Sequence, residues 1–160
     1  MKLILLRHGK SSWKNLNLND FERPLSKRGI KELPKIFFEL KKFVNVDMRI
    51  LCSTSLRTIQ TYEIFKKFFP FLNVIFLNEL YHASNCQILE ILNKNSDAKG
   101  LIIIGHNPGI ILFLNDCLNN KYISSKTYHF PTSAAAILNV KFDKINKLKL
   151  GKADLIDFLK

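Results

Sequence analysis

The chain has 160 residues, 47% of them hydrophobic and 24% charged, a balance that suits one globular domain over residues 1–160 with a single well-buried core. No apolar run approaches the ~18–20 residues that cross a bilayer, and the first one is too short, and too soon interrupted by Arg7, for a signal peptide; a membrane role is not expected and a cytoplasmic location is. The formal net charge of +12 raises the question of a nucleic-acid partner, but the lysines are scattered without a block or stripe and no nucleic-acid-binding motif is visible, so the charge reads as a solvated surface whose field draws in anions.

Residues 2–6 form an apolar run that predicts a short buried strand, and it stops abruptly at Arg7-His8-Gly9. Residues 10–25 are polar and irregular and close on Glu22-Arg23-Pro24-Leu25. Ser26 is placed as a helix N-cap, and Leu33, Ile36, Phe37, Leu40 and Phe43 follow at helical spacing. Pro34 inside that stretch predicts a kink or a late start. Met48–Leu51 reads as a second strand running into Cys52-Ser53-Thr54-Ser55, followed by a helix from about Ser55 to Phe69 that Pro70 closes. Asn73–Leu77 reads as a third strand, from whose end Glu79-Leu80-Tyr81-His82 leads away, and Cys86–Lys94 as a helix.

Leu101–Ile104 is apolar at every position, as in strands covered on both faces, and runs into Gly105-His106-Asn107-Pro108-Gly109 and an apolar helix to about Leu118. Ala134–Phe142 and Lys147–Leu150 are candidates for terminal antiparallel strands. Strands alternating with helices at this spacing predict a three-layer α/β/α domain with a mostly parallel central sheet.

In a parallel sheet the carboxyl ends of the strands lie on one edge, where ligands bind. Arg7-His8, Arg57, Glu79 and His106 each fall just beyond a predicted strand, so residues a hundred positions apart can converge there. Two arginines and two histidines around one crevice describe a site for a dianion. A neutral imidazole is a competent nucleophile toward phosphorus if its other ring nitrogen is held, for instance by a backbone carbonyl. Arginine forks suit phosphoryl oxygens, and Arg7 and Arg57 would neutralise them as charge redistributes. The amides around Asn107 and Gly109 open a helix and favour anions. Cationic side chains supply the charge, so neither a metal nor a cofactor is expected.

The remaining candidates have plainer readings. His82 and His129 are isolated and fit surface or structural roles, and no spacing among the four histidines suggests a metal. Trp13 fits loop packing, while Thr132 and Ser133 stand where the loop before the fifth strand could approach the site. Cys52, Cys86 and Cys117 carry no CxxC spacing and read as reduced thiols. Cys52 and Arg57 form Cys-x4-Arg, one residue short of the Cys-x5-Arg loop of cysteine-dependent phosphatases and without its glycine, so Cys52 reads as a buried strand end.

The ordered set of motifs resembles the histidine phosphatase superfamily, which has the phosphoglycerate-mutase-like fold, and within it the small SixA-type phosphohistidine phosphatases. The matching text is Leu6-Arg7-His8-Gly9-Lys10-Ser11-Ser12-Trp13, Arg23-Pro24-Leu25 with Arg28-Gly29, Ser53 to Arg57 with Gln60-Thr61, Gly105-His106-Asn107-Pro108-Gly109 and Pro131-Thr132-Ser133-Ala134. The resemblance implies a phosphatase in which His8 is the phosphorylated nucleophile and Arg7, Arg57 and His106 form the phosphate pocket. Gly9, Arg23 and Asn107 would assist binding, Arg23 by contacting phosphate or the phosphoprotein surface. The superfamily's general acid follows the third strand, and Glu79 is the nearest candidate here. Larger branches place an asparagine three residues beyond the serine of the Arg-His-Gly motif; Lys14 stands there instead, with Asn15 one step later.

A chain this short has little room for the cap of the larger branches. An uncapped site suits a protein-borne phosphohistidine on a phosphorelay or phosphotransfer protein. A small phosphomonoester is the alternative substrate, and a non-catalytic phosphoprotein- or nucleic-acid-binding domain a more distant one. Nothing in the sequence speaks to oligomeric state beyond a default monomer.

Overall fold

A computed structural model of the chain describes residues 1–118, 129–143 and 147–160. Six strands form one sheet: β1 (Lys2–Arg7), β2 (Met48–Ser53), β3 (Asn73–Leu77), β4 (Gly100–Gly105), β5 (Ala135–Asn139) and β6 (Asp154–Leu159), in the order β3-β2-β4-β1-β5-β6. The β1–β4, β2–β4 and β2–β3 pairs are parallel, and β5 and β6 extend the sheet antiparallel. The helices are α1 (Lys27–Leu40), α2 (Leu56–Lys66), α3 (Asn85–Lys94) and α4 (Gly109–Leu118), with a 3₁₀ turn at Asn78–Leu80.

Alternation along the strands divides the core in two, because successive side chains point to opposite faces. Leu3, Leu5, Leu51, Leu101 and Ile103 pack with α3 and α4 residues such as Ile91, Phe113 and Leu114. Ile4, Leu6, Ile50, Ile102 and Ile104 pack on the other face with Leu33, Phe37 and Phe65 of α1 and α2. The layers are therefore α/β/α, with β1, β2 and β4 covered on both sides.

The register positions the site. Arg7 lies opposite Gly105 in the β1–β4 pair, so His8 and His106 leave the sheet side by side. Cys52 lies opposite Ile104 in the β2–β4 pair, which brings Ser53 level with the same exit.

Two elements depart from the expected layout. The helix around Pro34 does not start late: Ser26 caps it, its side chain accepting from the Gly29 amide at 3.1 Å, and it runs through Pro34 to Leu40. The second terminal strand is Asp154–Leu159 rather than 147–150; Leu148 makes only an isolated bridge to Phe142. The true strand is half-exposed at the sheet edge and carries Asp154 and Asp157, so its apolar pattern is weak.

Two glycines fasten loops near the strand ends. A Cβ at Gly29 would collide with the Lys10 backbone, and one at Gly109 with the Ala83 carbonyl. The Lys10 carbonyl also accepts from the Ser26 amide at 2.8 Å, which ties the loop after His8 to the start of α1.

Candidate active site

At the carboxyl edge of the parallel strands an open cleft of about 220 Å³ is lined by Arg7, His8, Arg57 and His106 at its base and by Asp20, His82 and Trp13 toward its mouth. His8, Arg57 and His106 are 7%, 3% and 5% exposed, unusual burial for groups of this polarity.

His8 is held at both ring nitrogens. Nδ1 lies 2.7 Å from the Gly9 carbonyl oxygen, an acceptor only, so Nδ1 carries the proton and donates it. Nε2 then keeps its lone pair and accepts from Arg57 Nε at 3.3 Å. Burial lowers the His8 pKa to about 4, with the Arg57 and Arg7 charges acting in the same direction against the Gly9 hydrogen bond. The imidazole is therefore neutral near pH 7. The Ser133 amide donates to the His8 carbonyl and the His8 amide to the Gly105 carbonyl, while the Gly9 amide donates to Thr61 Oγ1 at 3.1 Å.

His106 has the opposite tautomer. Arg57 Nη2 donates to Nδ1 at 3.3 Å, which leaves the proton on Nε2 to be donated to Ser53 Oγ at 2.9 Å. Burial, followed by the influence of His8 and Arg57, brings its pKa down to about 2.

Arg57 enters from the first turn of α2, whose buried face is polar near the site, with Arg57, Thr58 and Thr61, and apolar beyond, with Tyr62 and Phe65. Arg7 Nη1 and Asn107 Nδ2 both donate to the Phe130 carbonyl, at 2.7 and 3.0 Å. Arg7 Nε is buried with no hydrogen-bond partner, and burial with the nearby Arg57 charge lowers the Arg7 pKa. Two neighbouring guanidinium groups, one with an unused donor, suit an anion.

Asp20 and His82 were not anticipated here. Asp20 Oδ2 accepts from Arg57 Nη2 at 2.8 Å, from the Tyr81 hydroxyl at 2.9 Å and lies 3.1 Å from His82 Nε2. Its Oδ1 accepts from Arg23 Nη1 at 3.1 Å, and its backbone carbonyl from Arg57 Nη1. Partial burial works against ionisation, but the hydrogen bonds from Arg57, His82 and Tyr81 hold this carboxyl well below the usual carboxylate range. His82 stacks over His106 with centroids 5.6 Å apart and ring planes 13° from parallel. Among the described residues the non-glycine positions with positive φ are His82, at 52°, and Ser133, at 68°; both flank this site. An acidic residue three positions before the buried Arg23 was the available signal for Asp20.

The other candidates fall as follows. Arg23 lines the cleft and uses Nε on the Ser12 carbonyl and Nη2 on Ser11 Oγ, at 3.2 and 2.8 Å, with the Trp13 ring stacked against it. Thr132 lines the cleft. Glu79 does not reach it: the 3₁₀ turn directs this residue to a separate hollow against α3, with Gln87 and Glu90. Asn15 stays in an exposed turn, accepting from the Asn17 amide, and His129 lines a different surface hollow beside α1. Cys52 is fully buried, its thiol donating to backbone carbonyls, and burial pushes its pKa up; a thiolate nucleophile has no basis here. No group of three or more metal-ligating side chains occurs among the described residues, and no described helix is long and apolar enough to cross a membrane.

The chain is similar to several known proteins. The family model of the histidine phosphatase superfamily (branch 1) matches residues 3–85. An uncharacterised chloroplastic protein of Arabidopsis thaliana is 35% identical over 119 residues, 68% of this chain and 55% of that one; the chain thus spans about half of that relative. An uncharacterised protein of Mycobacterium tuberculosis is 31% identical over 144 residues, 84% of this chain and 87% of its own. Among solved structures, SixA from Agrobacterium tumefaciens superposes with a TM-score of 0.85 at 25% identity, covering 99% of this chain and 97% of that one. The protein histidine phosphatase SixA complexed with tungstate gives 0.73 at 23% identity and 97% coverage of both chains.

Proposed function

The chain belongs to the histidine phosphatase superfamily, and from that membership and the geometry of the cleft we propose that it is a SixA-type phosphatase that removes phosphate from protein-borne phosphohistidine through a phosphorylated His8. The observation that carries this reading is the state of His8: buried, neutral, protonated on Nδ1 against the Gly9 carbonyl, with the Nε2 lone pair toward Arg57 and the Arg7 charge nearby.

Arg57 Nε donates to that lone pair. An arriving phosphoryl group gives the guanidinium better acceptors, and the lone pair is released for in-line attack. Arg57, together with the unpartnered Nε of Arg7, then meets the non-bridging oxygens as charge builds on them. His106 lies against the same group and can take up a proton on Nδ1 once a dianion replaces Arg57 as its neighbour. Attack forms the His8–phosphorus bond and expels the leaving group, and water then releases inorganic phosphate and restores His8.

The choice of a protein substrate rests on the open mouth. Asp20 and His82 side chains are 43% and 52% exposed, and Trp13 is 65% exposed. A phosphohistidine on a folded surface can reach a base framed in this way.

The test is to mix the protein with a radiolabelled phosphohistidine-bearing phosphotransfer domain and, separately, with a labelled phosphoserine peptide, and to quench at millisecond intervals. Label on His8 that is stable in alkali and lost in acid, appearing faster from phosphohistidine, is expected. Release of phosphate with no enzyme-bound label at any time would overturn the covalent route, and faster release from phosphoserine would overturn the substrate.

A further inference from the structure

In a phosphoryl transfer the leaving group lies opposite the nucleophile, so with His8 at the base its proton must come from the mouth of the cleft. Beside the Lys10 ammonium, which also lines the cleft, four carboxyl, phenol and imidazole groups come into question there. Asp20 is held as a carboxylate by Arg57, His82 and Tyr81 and has no proton to give. Burial and the Asp20 charge keep the proton on the Tyr81 hydroxyl, which donates it to Asp20. Glu79 faces α3. His82 remains: its Nε2 lies 3.1 Å from Asp20 Oδ2, its ring stacks over His106, it lines the cleft, and its side chain is 52% exposed toward anything entering.

We propose that His82, oriented by Asp20, is the proton donor and acceptor for the leaving group in this site. The assignment rests on the phosphatase reading above and deepens it. In the first half-reaction the His8 Nε2–phosphorus bond forms while the bond from phosphorus to the leaving atom breaks. That atom takes its proton from the His82 imidazolium, which becomes neutral. In the second, a water oxygen bonds to phosphorus, the phosphorus–Nε2 bond breaks back onto His8, and the water's proton returns to His82. An imidazole can serve both steps because a ring nitrogen that gives a proton can take one back. The left-handed backbone at position 82, φ 52°, turns the ring toward the cleft.

The experiment uses His82→Asn, since asparagine tolerates the left-handed region, and a series of aryl phosphates running from p-nitrophenyl to unsubstituted phenyl phosphate. Nitrophenolate departs without a proton, whereas phenolate needs one. The variant is expected to lose at most about tenfold in kcat/KM with p-nitrophenyl phosphate and on the order of 100-fold with phenyl phosphate, a steeper dependence on the leaving group. Equal losses along the series would show that His82 only supports the pocket and would overturn the assignment, as would no loss at all. A parallel His8→Ala variant separates the two readings. Activity surviving in it sinks the phosphatase mechanism itself, whereas a dead His8→Ala beside parallel slopes sinks the role of His82 alone.

Discussion

At the base of the cleft His8, Arg57 and His106 are between 3% and 7% exposed, and each stands where a buried strand ends or a helix begins. At the mouth, Asp20 and His82 are 43% and 52% exposed and lie in loops. The base is held by the sheet's own register, by the Gly9 carbonyl and by the buried Ser53 and Arg57 side chains; the mouth is held chiefly by partly exposed side chains contacting one another. Side chains fixed by packed elements keep a reacting geometry, while loop side chains set what approaches it. The contrast predicts large, uniform effects at the base and smaller, substrate-dependent ones at the mouth.

The largest effect tests the base. His8→Ala is expected to lower kcat by on the order of 10⁴ or more with every phosphorylated substrate, with an unchanged circular-dichroism spectrum; a loss confined to one substrate would remove His8 from the centre of the chemistry. Next comes Arg57→Lys, expected to cost on the order of 10²–10³ in kcat. A lysine keeps the charge, but its single ammonium cannot serve His8, His106 and Asp20 from one planar fork. Steady-state kinetics beside the wild type decide this, and retention of more than about a tenth of kcat would show that charge alone suffices.

Burial of the base also has a signature in stability. Native pKa values of about 4 for His8 and about 2 for His106 lie below the ordinary 6.5, so the unfolded chain binds more protons than the native one as pH falls below 6.5. Stability is therefore complete above that pH and declines below it, by on the order of 1–2 kcal/mol per imidazole between pH 6.5 and 5. Asp20 titrates below this window and does not mask the slope. Urea denaturation at pH 7 and pH 5 should show the decline, and a His8→Asn/His106→Asn double variant should flatten it; an unflattened slope would place its origin elsewhere.

The smallest effect belongs to the mouth. Asp20 occupies donors of Arg57 that an oxyanion needs, so Asp20→Asn is expected to tighten inhibition by tungstate by a few-fold to about tenfold, roughly one kcal/mol, while lowering turnover. Weaker inhibition would mean that the carboxylate serves chiefly to aim Arg57, and the contrast between the regions would narrow.

The same contrast describes what could be read in the sequence. Residues that bring the base together sit directly beyond apolar runs, at Arg7-His8, Arg57 and His106, and the strand and helix alternation is enough to place them on one edge. Glu79 fails this rule although it follows β3, because the 3₁₀ turn intervenes and sends it to the α3 side, while Tyr81 and His82 come back toward the cleft. Asp20 carries little local signal beyond its spacing from Arg23: the polar stretch 10–25 has no period, and its path depends on contacts with Arg57, Tyr81 and His82 distant in sequence. In the fold, the central strands were legible from their continuous apolar runs. β6 was not, since an edge strand half in solvent needs little apolar pattern.

The meeting of Gly109 with the Ala83 carbonyl bears on how the two regions move. Here the start of α4, just after His106, touches the loop just after His82 backbone to backbone, without room for a methyl group. Contacts between flexible side chains absorb small displacements by changing rotamer; a backbone contact cannot. A shift of the loop at Ala83 toward α4 meets the head of that helix at once, which keeps the loop that carries His82 in register with the turn that carries His106. In kinematic terms the joint has a hard stop on one side.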